Sequence, residues 1–214
     1  YMVGDDILSG LGTAPRWIID FGVSDILRAQ SFSKPFGHLK TTVLPAMTKA
    51  ASEAKSERAT SIQQWWLHWR GRAELLATIT GLPRYLACSR VTKRPLFAFI
   101  DSSVRPGDAL QAFALADDYS FGILQSQAHY LWFHAKCSNM KSDPRYTSES
   151  VFHSFPWPQS PSPAQIEAVA AASVALRHLR AESIKSTDGG LRVLYRTLDL
   201  PGKNPLKDAH DVLD

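Results

Sequence analysis

Little in this sequence is extreme, and what is scarce narrows the classes open to it. Its 214 residues hold two cysteines, Cys88 and Cys137, about fifty positions apart and in no C-x-x-C spacing. That excludes a disulfide scaffold and a zinc ribbon, and it is the cysteine usage of a reducing, cytoplasmic compartment. No apolar run approaches the roughly eighteen residues of a membrane span. The N-terminal YMVGDDILSG lacks a basic region leading into an apolar stretch, so no secretory leader is read and no membrane partner is expected. Glycine (12) and proline (13) are ordinary, which excludes collagen-like and low-complexity chains.

Catalytic templates are missing as well. The chain has no G-x-S-x-G elbow, Walker-type loop, H-E-x-x-H or G-x-G-x-x-G, so no self-contained active site is expected. His129, His134 and Cys137 fall at i, i+5 and i+8. They would lack a ligand or two for a metal and read better as packed helix residues. Asp117 and Asp118 read as the cap of a following helix rather than as an acid/base pair. A hydrolase built on His129 or His153 with an unrecognised nucleophile is the weakest of the function classes weighed.

Charge is what is present. Twenty-four Lys and Arg against twenty Asp and Glu give +4 and a pI of about 9.1. The excess is concentrated. Arg58, Arg70, Arg72, Arg84, Arg90, Lys93, Arg94 and Arg105 face only Glu74 and Asp101, a net of +6 within one stretch, leaving the remainder at −2. Such a block is the footprint of a phosphate-binding face, although any one of these side chains also suits a solvated surface.

The pattern predicts strands over 16–21 (RWIIDF), 84–91, 95–101 and 109–116, the last three separated by basic, turn-rich connections and therefore antiparallel neighbours. Helical periodicity runs over 38–59, from about Ala73 to Gly81, over 121–137 and from Pro163 to Ser183. Proline at position 45 sits awkwardly in the first of these. Residues 138–150 are polar and loop-like, and FPWPQSPSP reads as a proline-rich linker over 155–163. In WWLHWR (65–70) aromatics interleave with cations. The cluster suits either stacking on unpaired bases or, more simply, a hydrophobic anchor. The chain starts at Tyr1 and ends inside the helical stripe Leu206, Ala209, Val212, Leu213, so a fragment of a longer polypeptide is expected.

Within CSNMKSDPRYT (137–147), Lys141 and Asp143 stand two apart, and in extended backbone they project to one side. The ammonium matches the major-groove acceptors of guanine and the carboxylate matches the amine of its paired cytosine. The same pair is also an ordinary surface ion pair worth less than about 1 kcal/mol.

RYLACSRVTKRPLF, ALADDYSFGILQSQAHYLWF, CSNMKSDPRYT and VFHSFPWP occur in this order, with RWIIDFG before them and PSPAQIEAV after. Together they resemble the target-recognition domain of the MmeI-like adenine-specific DNA methyltransferases, a family that includes combined restriction-and-modification enzymes. The resemblance implies double-stranded DNA as partner, with the base-choosing positions at Lys141, Asp143 and Arg145 and a neighbouring turn at Asp108 and Ala109. It implies phosphate contacts from the basic connection at Arg90, Lys93 and Arg94, with Arg105 beside them in the basic block. Ser126, His129 and Tyr146 also fall in matched motifs, in roles left open. It further implies that S-adenosylmethionine and the Asn-Pro-Pro-Tyr-type catalytic motif belong to a methyltransferase domain of the same polypeptide, since neither motif occurs here.

The expectation is thus an α+β fold: a mostly antiparallel sheet flanked by helices, with a recognition domain over 1–154, the linker over 155–163 and a helical extension over 164–214. The leading function is sequence-specific DNA recognition, with no enzyme activity in this part alone. The runner-up is a protein-interaction module docking a partner subunit through the Trp cluster and the C-terminal helices.

Overall fold

A computed structural model describes residues 1–10, 14–53, 61–69, 71–140 and 143–214. They fall into two compact units, Tyr1–Arg16 with Thr78–Asp214, and Trp17–Ala77. The architecture is α+β, as the sequence predicts.

In the first unit, β1 (Arg84–Ser89) is the central strand of a three-stranded antiparallel sheet, between β2 (Ala98–Asp101) and β3 (Leu110–Phe113). Leu86 sits opposite both Phe99 and Phe113, and Ala87 opposite Ala98 and Ala112. β1 is buried from Tyr85 to Ser89, as expected of a strand covered on both faces. The predicted run 95–101 enters the ladder only at Ala98, because side chains claim the backbone of Phe97. Its N–H donates to Gln125 Oε1 at 3.0 Å, and its carbonyl accepts from Arg180 at 3.1 Å.

Helices α5 (Asp118–Gln125) and α6 (Gln127–Lys136) replace the single predicted helix over 121–137. The break is at Ser126, whose extended backbone ends α5 while its hydroxyl caps α6 by accepting the His129 N–H. Asp117 caps α5 as expected, accepting the Ser120 N–H at 2.7 Å. A single π-helical turn follows at Ser148–Phe152, then α7 (Pro163–Ser186), α8 (Gly190–Arg196) and α9 (Pro205–Leu213). Ser162 and Gln165 form a capping box at the start of α7, with Pro163 in its first turn. α7 lies close along α5 at Gly122, where any side chain would strike Ser173 and Val169. At the other end of the chain, α1 (Gly4–Ser9) packs on α8.

The core is aromatic. Phe97, Phe113, Phe133 and Tyr146 are all nearly or fully buried, with ring centroids 5.6–6.0 Å apart. Phe155 and Trp157, in the proline-rich segment, pack on His129 and Phe152.

The second unit contains α2 (Ile26–Ser31) and α3 (Ser33–Glu53), the latter continuing through Pro45. The stretch 16–21 is not a strand. Its β-branched and aromatic residues meet no partner strand among the described residues, and Trp17 is fully solvent-exposed. In the WWLHWR motif, Trp65 packs on Phe36 with centroids 5.1 Å apart, and Trp66 Nε1–H donates to Ser24 O at 2.9 Å. These two rings are the anchor of the simpler reading. α4 (Ala73–Thr80) ends just before Gly81, where the sequence places its stop.

Candidate nucleic-acid interface

Beyond Ser89 the chain of β1 runs on through residues 90–92, and there three segments far apart in sequence meet. Arg90 N–H donates to Ala109 O at 2.8 Å, and its guanidinium donates to Asp108 O at 3.0 Å. On the other side Tyr146 N–H donates to Arg90 O at 2.8 Å, and Thr92 N–H donates to Pro144 O at 3.0 Å. Val91 also bridges Arg145 in antiparallel fashion. Backbone bonds from residues 90–92 thus hold Ala109 on one side and Pro144 to Tyr146 on the other, with Asp108 tied by the Arg90 side chain and Asp143 next to Pro144 in the chain.

Residues 138–140 and 143–145 pair as two antiparallel strands, a hairpin where their composition suggests an irregular loop. β4 (Ser138–Met140) pairs with β5 (Asp143–Arg145), Ser138 opposite Arg145 and Met140 opposite Asp143. Lys141 lies outside the described residues, between the paired Met140 and Asp143. Asp143 is exposed. Arg145 is half-buried, and its Nε has no hydrogen-bond partner among the described residues. Buried donors left open in this way are uncommon in folded proteins.

The hairpin is rooted through Tyr146, which has no exposed surface and shares a 3.0 Å hydrogen bond with His129 Nε2. Burial pushes the His129 pKa down to about 4, with the Leu124 backbone offsetting part of the shift. Burial, and then the proximity of Cys88, push the Tyr146 phenol up. Both stay neutral near pH 7, and their bond ties Tyr146 to α6.

Beside the hairpin is a cleft of about 920 Å³ lined by Lys93, Arg94, Tyr130, Asp143, Arg192 and Arg196, among others. Lys93 is exposed. Arg94 is half-buried with its guanidinium 4.2 Å from the Tyr130 ring centroid, a cation–π seat that fixes its position. Arg105 is not among the cleft-lining residues. Its carbonyl accepts the Met2 N–H at 3.1 Å, and burial holds its guanidinium pKa below the usual value, partly offset by Tyr1. Arg192 and Arg196 escaped the sequence reading because they lie about fifty residues beyond the hairpin, and only the packing of α8 brings them here. Among the described residues no three His, Cys, Asp or Glu side chains group as a metal site, and no helix is long and apolar enough to cross a membrane.

This is an α+β module in which two short paired strands, β4 and β5, are joined to the extension of a buried central strand. Residues 80–159, from the end of α4 through the FPWP segment, match the family model described as MmeI, target recognition domain. Among curated proteins none matches the chain in sequence. A solved structure of the Type IIL restriction-modification enzyme MmeI in complex with DNA superposes on 100% of this chain with a TM-score of 0.73 and 22% identity. The chain spans 26% of that protein's chain.

Proposed function

We propose that this chain is the sequence-reading part of a restriction–modification type, S-adenosylmethionine-dependent adenine DNA methyltransferase. It reads double-stranded DNA, while the catalyst is carried by a methyltransferase domain of the same polypeptide. One observation carries the reading: backbone bonds gather the hairpin, the 108–109 turn and the basic 90–94 connection at one edge, beside a cationic cleft. The exposed Asp143 carboxylate supplies an acceptor of the kind the cytosine amine requires. Lys93 and Arg94 supply cations for phosphates, which position a duplex without informing on its sequence. The methyl donor is assigned to the methyltransferase domain because neither the S-adenosylmethionine pocket motif nor the Asn-Pro-Pro-Tyr-type motif occurs in this sequence. The compartment proposed is the cytoplasm.

Competition binding across duplexes that differ at single base pairs tests this assignment. Lys141→Ala or Asp143→Ala is expected to lower discrimination at one base pair by about 1–3 kcal/mol while leaving nonspecific affinity nearly intact. Equal loss on every duplex would remove both residues from the role.

A second reading, docking of another protein domain, is favoured by the exposed Trp17, Val23 and Leu27 of the Trp17–Ala77 unit. Binding through such a surface barely responds to salt, whereas phosphate-driven binding weakens steeply.

A further inference from the structure

Two of the cations lining the cleft come from a helix that no motif singled out. Arg192 and Arg196 stand four residues apart on α8, on one helix face. Leu191, Leu194 and Tyr195 are buried, so both arginines are turned outward, and both are exposed. The position of α8 is tightly fixed. Gly190 has φ +67°, and any side chain there would collide with the Ser9 backbone. Two like charges one turn apart weaken a helix slightly, so the arrangement brings no stability of its own. Arg192 donates to Asp5 at 2.8 Å in an exposed pair, whereas Arg196 has no carboxylate partner among the described residues. With Lys93 and Arg94 they make four cations around a concavity whose carboxylates are Asp143 and Asp199.

We propose that α8 is a second phosphate-binding rim of the DNA site, with Arg192 and Arg196 gripping the duplex backbone while the hairpin reads bases. The proposal rests on the DNA-reading function above. It adds that the C-terminal helices contribute directly to affinity rather than only covering the core.

The test uses the full chain and a fluorescent 30-base-pair duplex of mixed sequence, titrated over a salt series. Arg192→Ala with Arg196→Ala is expected to weaken binding roughly tenfold at low salt, equally for all sequences, and to lower the log–log salt slope by about two. Lys93→Ala with Arg94→Ala serves as the reference for the DNA-reading function itself. If the reference pair weakens binding and the α8 pair does not, the α8 rim is wrong and the function stands. If neither pair changes binding, both fail. Should the α8 double variant unfold, Arg196→Glu alone, at an exposed and unpaired position, is expected to weaken binding more than Arg196→Ala, and an unchanged affinity would overturn the rim. Asp5→Asn releases Arg192 and is expected to tighten binding about twofold at low salt; no tightening removes Arg192 from the rim.

Discussion

Two sets of cations in the same unit are put to opposite uses. Arg84, Arg177 and Arg180 find acceptors within the fold, although the buried Nε of Arg180 has none among the described residues. Arg84 pairs with Asp118 at 2.9 Å and lies 3.6 Å from the Phe99 ring centroid. Arg177 pairs with the other oxygen of the same carboxylate. Arg180, only 5% exposed, donates to the Phe97 carbonyl and to the Tyr195 hydroxyl. Lys93, Arg192 and Arg196 are exposed around the cleft, and among the described residues the only carboxylate paired with any of them is Asp5, itself exposed. A count of charges treats the two sets alike. What separates them is whether the fold supplies an acceptor, and a cation left without one beside a concave surface is available to an external anion.

Several measurements would break or sharpen this contrast. The largest effect is expected at Arg180. Replacement by Ala leaves the Phe97 carbonyl and the Tyr195 hydroxyl without their donor and opens a void, costing about 4 kcal/mol in denaturant unfolding; a loss under 1 kcal/mol would show that Arg180 is not an internal strut.

The same divide runs through the histidines. Burial lowers the pKa of His129 to about 4 and that of His210 to about 3, the latter helped by Arg180 and Arg94. Unfolded histidine titrates near 6.5, so between that pH and the folded value the unfolded chain binds more protons and stability falls as pH drops. On the order of 2–3 kcal/mol from His129 alone is expected to be lost between about pH 6.5 and pH 4. Thermal unfolding of His129→Gln should show a shallower decline over that window, and an unchanged decline would mean the ring is protonated when folded.

Asp118→Asn removes one charge from a partly exposed triad, so only about 1 kcal/mol is expected, with DNA affinity unchanged. Lys93→Ala should leave stability within about 0.5 kcal/mol while weakening every duplex alike and lowering the salt slope by about one. A destabilised Lys93 variant with normal binding would reverse the contrast.

The sequence revealed the sheet where apolar runs were long enough to pair, at 84–91, 95–101 and 109–116, each trimmed at its ends in the folded chain. It misled at 16–21, because propensity cannot supply a neighbouring strand. It missed the hairpin because SNMKSDPR lacks β-branched residues and contains Pro144, whose carbonyl nevertheless accepts from Thr92. At the site, the grouping of Asp108, Ala109, Asp143 and Arg145 came from family motifs and not from composition. Arg84 sits within the basic block yet is bound to Asp118, so the net charge of that block overstated the surface available to phosphates. Arg192 and Arg196 carry no local signal at all. Their place depends on a glycine contact at Ser9, more than 180 positions away.

The unit that carries the hairpin is built from both ends of the chain, with residues 17–77 falling outside it. Met2 bridges Pro106, and α1 seats α8. Anyone transplanting this unit into another protein would do best to carry Tyr1–Arg16 and the helices through Leu213 along with the matched stretch. An excised 80–159 piece would arrive with Phe121 stripped of Arg180 and with one bank of its cleft left behind.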